Sequence, residues 1–263
     1  VLVTEPEYIR EILVKQWTKT IKWERLTRAS NRVTQFNIVF LEGDSWRSQR
    51  KLLTPAFHSE RVHAYIGLIQ RHTHRLTEHW QPGQVLDIRD AMTRLTMGII
   101  GEILFGIPDI EREAAPLSRA IDTLLAQFVT DASSVFSLPN WIPSERLKRV
   151  QEARQTIVTY LNRLIAERRA AGEDQGDVLS ALLLARDADT DAMLTDDQVR
   201  DELYSLFVAG HETTALWMCW ALYLLARHPE VQQQLHSSLN DHPGDETLLD
   251  AVLKETLRMY PPA

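Results

Sequence analysis

The chain has 263 residues, 44% of them hydrophobic and 25% charged, which is the composition of a folded protein and excludes intrinsic disorder and fibrous structure. Its formal net charge of −7 provides no basic surface for nucleic acid, so we exclude nucleic-acid binding. The single cysteine, Cys219, excludes a disulfide framework and a multi-cysteine metal site.

The front of the chain predicts one helix and a long loop. Residues 1–3 have the pattern of a strand end, and Thr4 with Glu7 forms a capping box that begins a helix over 5–16. Residues 18–42 lack a sustained hydrophobic period, which indicates a long loop with an apolar underside.

The rest of the chain predicts a mainly α-helical fold with little β structure. A strand-like run is confined to Val85–Ile88, and the prolines of 130–143 exclude a continuous helix there, which indicates an apolar loop. Helices are predicted over 44–54, 59–80, 89–105, 116–130, 144–171, 177–186, 195–227, 229–240 and 246–259.

The segment 195–227 is the longest of these helices and begins at a capping box formed by Thr195 and Gln198. A membrane span needs about 20 consecutive apolar residues. Glu212 interrupts the apolar run and leaves only 213–226 without charge, which is too short. We therefore expect a buried central helix.

One turn of this helix carries candidate chemistry. Ala209, Gly210 and Thr213 share a face, and the Thr213 hydroxyl can donate to the carbonyl of Ala209, so the helix is expected to bend and form a groove for a ligand. Glu212 is a carboxylate in an apolar helix, which is costly unless it is paired, hydrated or used. The alternative is a glycine packing site with a hydrogen-bonded core carboxylate, and the residues alone leave both open.

Histidines do not indicate a metal site. His211 and Glu212 begin the zinc-protease pattern HExxH, but residue 215 is alanine, so zinc hydrolysis is excluded. His72 and His74 lie two residues apart on a charged helix, where they do not face each other, and we expect them on a solvated surface.

Two further pairs have helical spacing. Trp46 and Arg50 place an indole N–H and a guanidinium one turn apart, which suits a carboxylate ligand; the alternative is a core tryptophan with Arg50 extending to water. Glu255 and Arg258 can form an i,i+3 ion pair, a pattern too common to indicate function by itself.

Three segments, in this order, resemble the cytochrome P-450 family of heme-thiolate monooxygenases. The family's C helix is similar to EGDSWRSQRKLLTPAFH at 42–58, its I helix to LFVAGHETTA at 206–215, and its K helix to LKETLRMYPPA at 253–263. The similarity extends from a B helix near 5–16 through F and G helices on either side of 130–143. It implies a cytochrome P-450-like helical fold, incomplete here, in which residues 1–263 are part of a single domain.

The resemblance implies heme b as the cofactor. By this similarity, Trp46 and Arg50 bind the heme propionates, while Ala209 and Gly210 line the groove for O2. It implies no metal ligand in these residues, because the family's axial cysteine lies in a glycine-rich loop downstream of Ala263.

The resemblance also implies the catalytic residues. Glu212 and Thr213 become the acid and alcohol pair that delivers protons, since a hydroxyl with a carboxylate behind it can position water for that transfer. Glu255 and Arg258 become a structural ion pair. Cys219, in the middle of the long helix, is expected to be a buried small hydrophobe and not an iron ligand.

These implications lead to an expectation for the whole protein. It inserts one oxygen atom from O2 into an apolar, fatty-acid-like substrate, with electrons from NAD(P)H through a ferredoxin or a flavoprotein reductase. We expect this chain to be an inactive internal fragment of it and to contain no membrane span. The whole protein is expected in the cytoplasm, with a membrane anchor upstream of residue 1 as the alternative. A non-catalytic helical ligand-binding module and a decayed enzyme remain alternatives, which heme retention and the downstream codons respectively distinguish.

Overall fold

The computed structural model describes residues 3–31, 34–108, 110, 115–133 and 144–262. Every regular element within these ranges is a helix and none is a strand, which confirms the predicted mainly α-helical class. The α-helices are α1 (Pro6–Arg10), α2 (Glu24–Ser30), α3 (Gly43–Leu53), α4 (Ser59–Ala64), α5 (Ile66–Thr77), α6 (Ile88–Phe105), α7 (Ala115–Ser133), α8 (Glu145–Ala171), α9 (Val178–Leu184), α10 (Asp196–Arg227), α11 (Pro229–Asp241) and α12 (Thr247–Met259).

The chain divides into two compact units. The first consists of Val1–His58 and Ala114–Ser205, and the second of Ser59–Glu113 and Leu206–Ala263. The long helix α10 therefore contributes its beginning to the first unit and the remainder to the second.

The first unit is built around α8, which packs against α7 and α9. Its buried residues recur every four positions, which places them on one face of the helix. They are Ala153, Ile157, Leu161 and Ile165. The Ser144 hydroxyl accepts the Leu147 amide at the start of α8, and Gly172 ends the helix at φ 69°, a conformation that favours glycine.

The second unit packs α6 against α5 and against the later part of α10. Ala91, Met92 and Leu95 of α6 form its buried core with Ala215 of α10. The Asp87 carboxylate accepts the Asp90 amide at 3.0 Å and so caps the start of α6.

The front of the chain differs from the prediction. The predicted helix over 5–16 is an α-helix only to Arg10 and continues as a π-helix over Glu11–Lys15. Glu5 is its N-cap and makes no side-chain cap, so the capping box at Thr4 is wrong. The predicted loop over 18–42 contains α2, which has an Arg28–Glu24 ion pair at i,i+4 spacing.

Two other segments also differ. The predicted helix over 59–80 is broken at Tyr65, between α4 and α5. The strand-like run Val85–Ile88 is not a strand, because no partner strand exists in the part of the chain that the structure describes, and Ile88 begins α6. In the predicted loop 130–143, residues 130–133 belong to α7 and 134–143 lie outside the described residues, as do residues 1 and 2 of the predicted strand end.

Helix α10 begins as predicted. The Gln198 amide donates to the Thr195 hydroxyl at 3.3 Å, and the Thr195 amide donates to the Gln198 side chain at 2.9 Å, so the capping box is confirmed. Over the ranges with described structure, no helix has the length and apolarity needed to cross a membrane.

Candidate functional site

Trp46 and Arg50 meet on the surface of the first unit. The Arg50 guanidinium carbon lies 5.2 Å from the centroid of the Trp46 ring, at cation–π distance. Trp46 is half-buried and packs against Trp17, with 5.6 Å between ring centroids. Arg50 is exposed, and no carboxylate within the described ranges pairs with it. The guanidinium is therefore free for an anionic group from outside these residues.

The predicted turn of α10 lies in the second unit. The Thr213 hydroxyl donates to the carbonyl of Ala209, which confirms the predicted back-bond. Ala209 is exposed, and Gly210 and Thr213 are half-buried. The carbonyl of Ala209 thus has a hydroxyl partner in addition to the helix, a local feature that can bend α10.

Gly210 is a close-packing position. A Cβ at this residue would lie 2.8 Å from Cδ1 of Ile100, so α6 approaches the α10 backbone on that side. The alternative weighed from the sequence, a glycine packing site, matches this contact. The role of Gly210 in lining a groove for O2 stays a prediction.

Glu212 is half-buried, and the described part of the chain provides no hydrogen-bond or ion-pair partner for its carboxylate. Its neighbour His211 is buried and stacks on Phe207 at 5.7 Å, and Phe207 stacks on Phe105 at 6.0 Å. His211 therefore belongs to an aromatic cluster. No group of residues suited to a metal ion occurs within the described ranges.

Glu255 and Arg258 form the predicted ion pair on α12. Both guanidinium contacts are short, 2.7 Å from Nε to Oε2 and 2.6 Å from Nη2 to Oε1. The hydrogen bonds from Arg258 lower the pKa of Glu255. Both residues border a groove of about 580 Å³ whose wall is largely aliphatic and includes Leu224, Val231 and Val252.

Cys219 does not have the environment of a reactive thiolate. Its thiol is half-buried beside the core of the second unit and donates to the carbonyl of Ile88 at 3.7 Å. Burial raises the pKa of Cys219, which keeps it protonated at neutral pH. The residue is thus a small, partly buried packing residue, close to the prediction.

The prediction for His72 is wrong. The residue is not on a solvated face: its side chain is only 10% exposed, and its Nε2 lies 2.7 Å from Oε2 of Glu102. The ring also lies against Gly98, where a Cβ would be 2.9 Å from Nδ1. His72 therefore joins α5 to α6, which the charged local sequence did not indicate.

The sequence analysis missed a buried carboxylate in the first unit. Glu202 is 0% exposed and hydrogen-bonds to Gln49 and to the Ile38 amide. Its spacing from Val199 and Leu203, which are also fully buried, placed it on the inward face of α10. That spacing was the signal in the sequence that Glu202 is buried. The partners of Glu202 lie more than 150 residues away in sequence and could not be identified from the spacing.

A family model described as Cytochrome P-450 matches residues 1–263. The chain is 27% identical to cyclooctat-9-en-7-ol 5-monooxygenase of Streptomyces melanosporofaciens, over all of this chain and 59% of that protein. It is 31% identical to putative cytochrome P-450 135A1 of Mycobacterium tuberculosis, over 99% of this chain and 57% of that protein.

Solved structures also resemble this fold. The cyanobacterial CYP120A1 with retinoic acid bound gives a TM-score of 0.83 at 24% identity, over 99% of this chain and 59% of that one. At this identity the likeness shows the fold alone. The chain spans between 57% and 59% of the length of these three proteins.

Proposed function

Because this chain belongs to the cytochrome P-450 family, we propose that the whole protein is a heme-dependent monooxygenase of which residues 1–263 form part of the single domain. The family match over all of these residues carries the proposal. The proposed reaction transfers one oxygen atom from O2 to an apolar organic molecule, with electrons from NAD(P)H supplied through a ferredoxin or a flavoprotein reductase.

Trp46 and Arg50 fit the carboxylates of a heme. The Trp46 indole offers an N–H donor, and the Arg50 guanidinium lies over its ring without a carboxylate partner among the described residues. An arginine and an indole N–H can together bind a propionate. Heme b, when bound, supplies the oxidising chemistry, and these two residues would hold and orient it.

One turn of α10 has residues suited to bind O2 and to deliver protons. Ala209 leaves an exposed surface at this turn for the proposed O2 groove, while the side of Gly210 on which a Cβ would lie is filled by Ile100 of α6. Thr213 donates its own proton to the Ala209 carbonyl, so its oxygen can accept a hydrogen bond from water. The Glu212 carboxylate can accept a second hydrogen bond from the same water, so that this water is held as a proton donor beside the Thr213 hydroxyl.

None of the 263 residues is a candidate for the thiolate that would ligate the heme iron. Cys219 is the only cysteine, and its protonated thiol is engaged with Ile88. We therefore propose that this chain without further residues is inactive.

The test of the proton-delivery role compares Thr213→Ala with Thr213→Ser in the whole protein. We expect Thr213→Ala to raise the O2 consumed per molecule of product, because water loses its hydroxyl partner. Thr213→Ser retains the hydroxyl and should keep the ratio close to that of the unmodified protein. An unchanged ratio in Thr213→Ala would reject the role.

The substrate is proposed to be apolar and of extended, fatty-acid-like shape. The similarity of the C-helix segment 42–58 supports this shape. The relative cyclooctat-9-en-7-ol 5-monooxygenase is named for a different molecule. Titration of the whole protein with a long-chain fatty acid should change the spin state of the iron, whereas no change would count against this substrate class.

A further inference from the structure

Glu202 is a fully buried carboxylate at the beginning of α10. Its Oε1 accepts hydrogen bonds from the side-chain amide of Gln49 and from the backbone amide of Ile38, the latter at 2.6 Å. Its Oε2 is buried and has no hydrogen-bond partner within the described residues. One oxygen of this side chain is thus saturated with donors while the other faces the interior without one.

The adjacent Asp201 has a different environment. It accepts the backbone amides of Gln35 and Phe36, at 2.7 and 3.1 Å, and pairs with the Arg200 guanidinium at 3.1 Å. The charge of Asp201 is therefore balanced, whereas no cation in the described chain contacts Glu202. Together the two acids hold the loop over 35–38 on α10.

Gln49 connects this loop to α3. Its side-chain nitrogen donates to the Phe36 carbonyl and to Glu202, and its oxygen accepts from Gln198 at 3.3 Å. Gln49 is buried and lies between Trp46 and Arg50 in sequence. The hydrogen bond to Glu202 therefore fixes α3 at the turn that presents those two residues.

We propose that Glu202 and Gln49 form a positioning pair. While Glu202 is protonated, this pair holds α3, with its Trp46 and Arg50, on α10. When Glu202 ionises, α3 and the preceding loop are released from α10. What Trp46 and Arg50 bind rests on the function proposed above. The pair itself depends only on contacts within the first unit.

Ionisation near neutral pH follows from the environment of Glu202. Burial raises its pKa to about 7, the charge of Asp201 acts in the same direction, and the hydrogen bonds from Gln49 and Ile38 act against them. Arg200 faces Asp201 and partly offsets the effect of that carboxylate. An ionised Glu202 gains hydration only if the loop separates from α10, so opening of the loop should increase about tenfold between pH 6 and pH 8.5.

The first test measures hydrogen exchange of the Ile38 amide in the whole protein, as the protection factor relative to unstructured peptide at the same pH. We expect this factor to fall about tenfold from pH 6 to pH 8.5. Glu202→Gln, which retains an acceptor but cannot ionise, should abolish the fall. In Gln49→Met the midpoint of the fall in protection should move to higher pH, because the change removes a donor that favours the charged form of Glu202. Glu167→Gln, a change at an exposed residue of α8, should behave like the unmodified protein.

Two outcomes would overturn the proposed release of the loop on ionisation of Glu202. A protection factor for Ile38 that does not depend on pH, or a pH dependence that persists in Glu202→Gln, would overturn it. If Glu202→Gln does not fold, the midpoint in Gln49→Met decides, since an unchanged midpoint would overturn the assignment to this pair.

The second test measures hemin affinity of the whole apoprotein at pH 6. Glu202→Ala and Gln49→Ala should each weaken binding about tenfold, the effect of losing a buried hydrogen bond, while Glu202→Gln should stay within about twofold of the unmodified protein. Unaltered affinity in both alanine variants would overturn the positioning role. A protein that binds no hemin at all would overturn the proposed function. Hydrogen exchange at the Ile38 amide would still test the Glu202–Gln49 pair, because that measurement involves no heme.

Discussion

Gly210→Ala tests how closely α6 and α10 pack at the candidate groove. The added methyl carbon would lie 2.8 Å from Cδ1 and 3.1 Å from Cγ1 of Ile100, where carbon atoms prefer about 3.5–4.0 Å. Overpacking of this kind costs about 1–3 kcal/mol, and alanine offsets about 1 kcal/mol of that by its higher helix propensity. Because Cδ1 is the movable end of its side chain, we expect a net loss of about 1 kcal/mol in the free energy of unfolding.

The assay is a double-mutant cycle with Ile100→Val, followed by urea denaturation. The valine lacks Cδ1, so Gly210→Ala in that background should become neutral or stabilising, which gives a coupling energy of about 1 kcal/mol. Gly67→Ala in α5 is the matched control, because nothing lies within 4 Å of its Cβ position and the change should not destabilise. Equal effects of Gly210→Ala on both backgrounds would show that Cδ1 of Ile100 does not cause the loss of stability.

Three further predictions concern other groups that are buried or half-buried. Asp177→Ala removes both the N-cap of α9 and a carboxylate that pairs with the nearly buried Arg168, so it should cost about 3–5 kcal/mol in chemical denaturation. A cost below about 1 kcal/mol would contradict this. The pKa of Glu202 is about 7 in the folded protein against 4.5 in the unfolded chain, so Glu202 binds a proton more tightly when the protein is folded. The free energy of unfolding should therefore fall by about 3 kcal/mol as pH rises from 4.5 through 7. Glu202→Gln should remove that fall. Cys219 should react slowly with iodoacetamide, since burial raises its pKa, and rapid alkylation at pH 7 would contradict its packing role.

Local spacing predicted the parts of the fold and the candidate site that depend on it. The Thr195 capping box, the Thr213 back-bond and the Glu255–Arg258 pair each join residues three or four positions apart, and the structure has all three. Helical geometry alone brings such residues together, so their contacts can be deduced without knowledge of the tertiary structure.

Contacts between distant segments could not be predicted in this way. Glu202 and Gln49 are 153 residues apart, and His72 and Glu102 are 30 apart. Whether each side chain is buried with a partner or solvated depends on which helices pack together. The same limit explains the wrong strand at Val85–Ile88, because a strand requires a neighbour that its own sequence does not specify.

The absorption spectrum of the reduced protein under carbon monoxide tests whether the whole protein holds a thiolate-ligated heme. We expect the red-shifted Soret band of a thiolate-ligated heme in the whole protein, and no such band when hemin is added to these 263 residues alone, whose only cysteine is Cys219. If the whole protein shows the spectrum of nitrogen-ligated heme, or retains no heme, it is not a heme-thiolate monooxygenase.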